Sequence, residues 1–64
     1  MVSINYVFKE KIKEYYCSVK EVDGEFKWVI NCSGWDFPYN YIASGFVGDK
    51  ESAISILKFI VNEL

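Results

Sequence analysis

Hydrophobic and polar residues alternate most regularly in the middle of the chain, on both sides of Asp23-Gly24. Alternation with a period of two is typical of a strand with one buried face. An Asp-Gly pair between two such runs is a strong signal for a hairpin with a two-residue loop. The sequence therefore predicts a hairpin whose strands run from Tyr15 to Val22 and from Glu25 to Cys32.

A two-residue loop also fixes the register of the hairpin, with Val22 opposite Glu25 and Val19 opposite Trp28. Because side chains alternate between the faces of a sheet, the residues divide into two sets. The predicted core face carries Tyr15, Cys17, Val19, Phe26, Trp28, Ile30 and Cys32. The other face is predicted to be largely in water and carries Tyr16, Ser18, Lys20, Lys27, Val29 and Asn31.

Gly34 and Pro38 interrupt regular structure after the hairpin, so the segment from Ser33 to Asn40 is predicted to be a loop. Tyr41 to Val47 is predicted to be a further strand of the meander. Gly45 inside this strand indicates either a bulge or a close approach of the backbone to a neighbour.

The end of the chain, from about Asp49 to Leu64, has the pattern of an amphipathic helix with Asp49 as its N-cap. Ile56 and Phe59 widen its apolar surface beyond what one sheet face requires. The stripe expected to face the sheet consists of Ala53, Ile54, Leu57, Ile60, Val61 and Leu64.

The N-terminal segment fits either a strand or a short helix. We favour the strand because a helix would leave little room before Tyr15, and Lys9 to Glu14 then form the connection. The alternation Val2, Ile4, Tyr6, Phe8 supports the strand, whereas Ile4, Val7, Phe8 and Ile12 fit the helix.

Together these elements predict an α+β fold, a small antiparallel β-meander of three or four strands packed by one C-terminal α-helix. A chain of 64 residues is expected to form a single domain, 1–64, with a small core. The net charge of −2 argues against non-specific binding of nucleic acid. With no membrane-spanning run of apolar residues and no recognisable signal peptide, we expect a cytoplasmic protein without membrane contact.

The sequence offers little for catalysis, because it has no histidine and its carboxylates are scattered. Cys17 and Cys32 lie diagonally on the predicted core face, beyond the usual reach of a disulfide, so we expect two buried free thiols. Asp36, the one acid among aromatic residues, is expected to form hydrogen bonds within its loop. We therefore predict that the protein is not an enzyme and binds no metal or cofactor.

Aromatic residues are concentrated around Pro38 and form the first candidate for a binding surface. Tryptophan and tyrosine are enriched at binding hot spots, although in a small protein the same rings also serve as packing. The predicted protein-binding residues, which would contact a partner or a second copy of the chain, are Trp35, Phe37, Tyr39, Tyr41, Ile56 and Phe59.

Lys20 and Lys27 face each other across the hairpin, which is unfavourable unless the side chains splay apart or an anion lies between them. Lys9, Lys11 and Lys13 add further positive charge. The alternative function is therefore a nucleic-acid-binding module that uses Lys20, Lys27 and Lys50. The simpler interpretation is that these lysines only keep the sheet solvated.

Several short motifs resemble a known family. The run Ser44-Gly45-Phe46, the helix start Asp49-Lys50-Glu51-Ser52-Ala53 and Leu57 are similar to the end of the AP2-like arm-type DNA-binding domain of phage integrases. Tyr15-Tyr16 and Trp28 are similar as well. This resemblance implies a three-stranded sheet with a helix, and DNA as the partner. The order of sheet and helix also resembles the last part of a double-stranded-RNA-binding domain.

In its length, acidity and aromatic content the chain also looks like small phage-encoded inhibitors of the anti-CRISPR type. This likeness implies a protein that acts by occupying a partner surface. The first functional hypothesis is therefore a non-enzymatic protein-binding module, an inhibitor or regulator from a phage or mobile element.

Overall fold

A computed structural model describes residues 5–35 and 41–64 of the chain. Within these ranges, four strands form one antiparallel sheet in the order β1-β2-β3-β4 and one helix packs against it, so the predicted α+β meander is confirmed. The elements are β1 Tyr6–Ile12, β2 Tyr15–Val22, β3 Glu25–Asn31, β4 Tyr41–Val47 and α1 Lys50–Glu63.

The central hairpin has the predicted turn and register. Asp23 and Gly24 both have positive φ, 51° and 81°, as a type I′ turn requires. The pairing runs from Val22 opposite Glu25 to Tyr16 opposite Asn31 without a shift. The turn residues alone therefore determine which side chains of this hairpin lie on the same face.

The core lies between the helix and one face of the sheet. From the sheet it receives Cys17, Val19 and Ile30, each fully buried, and the largely buried ring of Trp28. The helix contributes Ala53, Leu57 and Val61, which recur every four residues and therefore share one side of the helix. We call the other side of the sheet, which the helix does not cover, the open face.

The first strand differs from the prediction in two ways. The N-terminal strand itself is confirmed, but it continues through Lys9 to Ile12, and only Lys13 and Glu14 connect it to β2. A bulge lies between Tyr6 and Phe8, so Tyr6 pairs with Lys20 and Phe8 with Val19. The two rings therefore lie on opposite faces, although simple alternation places them together. Val2 and Ile4 lie outside the described residues.

The turn between β1 and β2 contacts the end of the helix. Lys13 has φ 58°, a left-handed conformation that is unusual for a long side chain. Its Nζ donates a hydrogen bond to the Val61 carbonyl oxygen at 3.2 Å, at the helix C-terminus. A lysine at this position interacts favourably with the negative end of the helix dipole.

The last strand contains both a bulge and a close approach, at different residues. The bulge lies at Ile42, because Ile30 pairs with Ala43 while Asn31 pairs with Tyr41. Gly45 marks the close approach, since a Cβ atom there would lie 2.9 Å from the indole of Trp28. Of the two roles predicted for Gly45, the close approach is the correct one.

The helix begins as predicted, with the side chain of Asp49 accepting a hydrogen bond from the backbone N–H of Ser52 at 3.1 Å.

Two predictions about the apolar surface of the helix were wrong. Leu64 follows the last helical residue and is exposed, and Ile56 is half-buried against the core. Phe59 is 68% exposed, as expected for a residue beyond the contact with the sheet.

The prediction of two buried thiols is correct only for Cys17. Both cysteines are free, but Cys32 is exposed. The physical reason is that β3 ends at Asn31, one residue earlier than predicted, so the alternation of faces no longer applies to residue 32.

The open face is less hydrated than its sequence suggests. Ser18 and Asn31 are only 1% and 4% exposed, although both belong to the predicted water face. The side-chain amide of Asn31 donates to the carbonyl oxygen of Trp35 at 3.0 Å, so the segment after β3 returns over this face. This return of the chain is not encoded in the alternation of residues.

Candidate binding face of the sheet

Antiparallel register brings one residue from each strand into a row across the open face. Of the rows that span all four strands, the one nearest the Asp23 turn consists of Tyr6, Lys20, Lys27 and Phe46, with an aromatic ring at each edge and two lysines between them. The rings and the lysines are therefore adjacent because of the strand pairing.

The two opposed lysines of this row splay apart. The Nζ of Lys20 lies 5.3 Å from the ring centroid of Tyr6, and the Nζ of Lys27 lies 5.6 Å from that of Phe46. Both distances are within the range of a cation–π contact, which contributes about 0.5–1 kcal/mol at exposed sites. The outward contacts offset the repulsion between two like charges on neighbouring strands.

Short side chains occupy the middle of the next row, where Ser18, Val29 and Ser44 lie side by side on β2, β3 and β4. Lys9 on β1 completes this row. Its Nζ lies 4.8 Å from the ring centroid of Tyr6 and 5.0 Å from that of Trp35. One ammonium group therefore covers two rings.

The third row contains Lys11, Tyr16 and Asn31. The Nζ of Lys11 lies 5.1 Å from the Tyr16 centroid. The ring of Trp35 meets that of Tyr16 edge to face, with centroids 4.9 Å apart and an interplanar angle of 82°. The side-chain amide of Asn31 donates to the backbone carbonyl oxygen of Trp35. The buried Oδ1 of Asn31 has no hydrogen-bond partner among the described residues.

These contacts define one surface, which we call the lysine–aromatic cluster. Each of its lysines lies over at least one of its rings, and among its aromatic residues the exposed fraction is largest for Phe46, at 53%. Its members are Tyr6, Lys9, Lys11, Tyr16, Lys20, Lys27, Trp35 and Phe46.

Charge is segregated across the sheet. The open face holds four of the seven lysines, whereas Glu10 and Glu21 belong to the register of the helix side, opposite Cys17 and Phe26. Among the described strand residues, Glu25 beside the turn is the single carboxylate in the open-face register. An acidic protein therefore presents a locally basic surface.

The residues predicted to bind a protein partner do not form one surface. Trp35 lies on the open face, whereas Ile56 and Phe59 lie on the helix at the opposite side of the sheet. Tyr41 begins β4, and Phe37 and Tyr39 lie outside the described residues, as does Asp36.

The predicted nucleic-acid set is divided as well. Lys20 and Lys27 share the open face, but Lys50 begins the helix. Sequence reasoning missed Tyr6, Tyr16 and Phe46 as members of the cluster. The usable signal was the run Lys9-Glu10-Lys11, in which a period of two sends both lysines to one face of a strand and the glutamate to the other.

Other kinds of site find little support in the part of the chain that the structure describes. It contains no group of three or more histidine, cysteine, aspartate or glutamate side chains placed to hold a metal ion. Burial raises the pKa of the Cys17 thiol, which keeps it in its unreactive form. No helix in the described ranges has the length and apolar character needed to cross a membrane.

No protein-family model, curated protein sequence or solved structure matches this chain. The likeness to arm-type DNA-binding domains and to small phage inhibitors therefore stays a prediction from sequence, and the geometry of the open face carries the functional argument.

Proposed function

We propose that this protein is a non-enzymatic binding module and that its open face binds an anionic partner. The observation that supports the proposal is the segregation of charge, with Lys9, Lys11, Lys20 and Lys27 on one face of the sheet. The positive electrostatic potential over such a patch attracts anions even when the net charge of the whole protein is negative.

The arrangement favours an anion over a purely structural role for the lysines. Lysines that only solubilise a sheet gain nothing from being opposed, yet Lys20 and Lys27 are direct neighbours across β2 and β3. Their repulsion is relieved further when an anion lies between them. Each of these ring contacts contributes only about 0.5–1 kcal/mol at an exposed site, so an anion can compete with the ring for the ammonium group.

Binding of inorganic polyphosphate at low salt, followed by calorimetry, tests the proposal. The double variant Lys9→Gln/Lys27→Gln is expected to lose most of the affinity. Lys58→Gln is the matched control, because this helical lysine also contacts a ring, that of Phe8 at 5.8 Å, but on the other side of the sheet. Equal binding by the double variant and the control would contradict the proposal.

A second candidate function is the protein-binding module expected from the sequence, here confined to the helix. The supporting observation is Phe59, a large aromatic side chain that is 68% exposed. On this proposal Phe59→Ser weakens self-association measured by light scattering, or capture of a protein partner, without unfolding the chain. A monomer at high concentration would count against a homodimer. The role of inhibitor or regulator from a phage or mobile element stays a prediction.

A further inference from the structure

We propose that the anion bound by the open face is a single-stranded nucleic acid, with phosphates on the lysines and bases stacked on the rings of the lysine–aromatic cluster. This inference rests on the proposed function and names its ligand. The starting point is that all four open-face lysines lie 4.8–5.6 Å from the centroid of a ring in the cluster.

The cation–π contacts are those of the protein without ligand. A lysine ammonium over a ring blocks that ring for stacking, but the contact is weak and the lysine stem is flexible. A phosphate that draws the ammonium aside uncovers the ring for the neighbouring base. A nucleotide supplies both groups at once, whereas polyphosphate supplies only the charge and an apolar ligand only the stacking surface.

At Lys9, displacement of the ammonium group by a phosphate and exposure of rings for stacking are closely linked. Its Nζ lies between Tyr6 and Trp35, so moving one ammonium group exposes two rings. The backbone carbonyl of Trp35 accepts a hydrogen bond from Asn31 and its ring meets that of Tyr16 edge to face, so we expect the ring to stay in place when Lys9 moves. A held ring loses little conformational freedom when a base stacks on it.

The distribution of rings favours a single strand over a duplex. Tyr6 and Phe46 lie at the two edges of a four-stranded sheet, about 14 Å apart across three strand spacings. Rings spread over a sheet can stack on separate bases of a splayed strand, whereas the bases of a duplex are already stacked on one another. A duplex would offer only its phosphates to this face.

Fluorescence anisotropy with labelled oligo(dT) of about 12 nucleotides, a length typical for one small binding domain, tests the inference. A duplex of equal length and inorganic polyphosphate are the comparison ligands. We expect oligo(dT) to bind at least roughly tenfold more tightly than the duplex, the gain of one or two stacked bases. With four phosphates engaged, the logarithm of the affinity should fall with that of the salt concentration with a slope of about −3.

Ring variants separate stacking from charge. Phe46→Leu and Trp35→Leu should each weaken oligo(dT) binding roughly 5- to 100-fold and leave polyphosphate binding unchanged. Trp35→Phe should restore most of the loss. The substitution at Phe46 is less expected to disturb folding, because that side chain is 53% exposed. Phe59→Leu on the helix is the matched control and should leave oligo(dT) binding unchanged.

The results distinguish this inference from the proposed function. If polyphosphate binds in a lysine-dependent manner but oligo(dT) binds no better than the duplex, or if the ring variants have no effect, the inference is wrong and the proposed function stands. Tighter binding of poly-L-glutamate than of oligo(dT) would overturn it in favour of an acidic protein partner. If none of the anions binds at low salt, both proposals fall.

Discussion

Gly45 lies directly opposite Trp28 across β3 and β4, and a Cβ atom at residue 45 would come within 2.9 Å of the Cε2, Cζ2 and Nε1 atoms of the indole. The glycine therefore provides the space in which the largest core side chain lies flat against the sheet. This relationship leads to the first prediction, because any larger residue at position 45 has to displace a rigid, largely buried ring.

Gly45→Ala is expected to lower the free energy of unfolding by about 1–3 kcal/mol through overpacking. Gly48→Ala is the matched control, since a Cβ atom there meets nothing within 4 Å, and its effect should stay within about 0.5 kcal/mol. Urea denaturation of the two variants measures the difference. Equal stabilities would show that Trp28 can move without cost.

The two thiols should differ sharply in reactivity. Cys17 is buried and burial raises its pKa, whereas Cys32 is exposed. Because the thiolate is the reactive form, we expect iodoacetamide to label the folded protein once, at Cys32. Mass spectrometry after digestion identifies the labelled residue, and labelling in denaturant should then reach both. Labelling of Cys17 at the same rate as Cys32 in the folded protein would contradict the described core.

The helix N-cap should make stability depend on pH. Hydrogen bonding to Ser52 lowers the pKa of the Asp49 carboxyl from its ordinary value. A lowered pKa in the folded state means that the stabilising contribution is present above the unfolded value, about 4, and is lost as the pH falls through the folded value. Urea midpoints measured between about pH 6 and pH 2 test this.

Asp49→Ser is the suitable comparison for this pH dependence, because serine also caps helices but does not titrate. The wild type should lose its advantage over the variant as the pH falls below about 4. A constant difference between the two proteins over the whole range would show that the ionised carboxylate adds nothing to the cap.

Lys13 is expected to stabilise the helix from outside. Replacing it with methionine keeps the apolar stem but removes the ammonium group that donates to the Val61 carbonyl oxygen. The loss should be about 0.3–1 kcal/mol and should shrink as salt is added, because charge–dipole interactions are screened. Lys11→Met, on the adjoining strand β1, is the control. A loss that is independent of salt would point to packing instead of charge.

Local chemistry made much of the fold predictable. The loop length at Asp23-Gly24 determined the pairing of Val19 with Trp28, and Asp49 marked the start of the helix. Both are decided by neighbours in sequence, through turn geometry and capping. The prediction therefore needed no knowledge of the tertiary structure.

The parts that failed depend on contacts between distant residues or on irregular backbone. The bulge that separates Tyr6 from Phe8 leaves no mark in an alternating sequence. The position of Trp35 over the open face includes a ring contact with Tyr16, which is 19 residues away in the sequence. The sequence therefore indicates only part of the lysine–aromatic cluster, Lys20 opposite Lys27, because the rest depends on the pairing of all four strands.

The order of strands in the sheet is also their order along the chain, and two of the connections, Lys13-Glu14 and Asp23-Gly24, have only two residues. Closing such short loops costs little entropy, so we expect β1, β2 and β3 to pair early in folding. The core, however, is complete only when Leu57 and Val61 reach β2 and β3. We therefore expect docking of the helix, and not pairing of the strands, to determine how fast this protein folds.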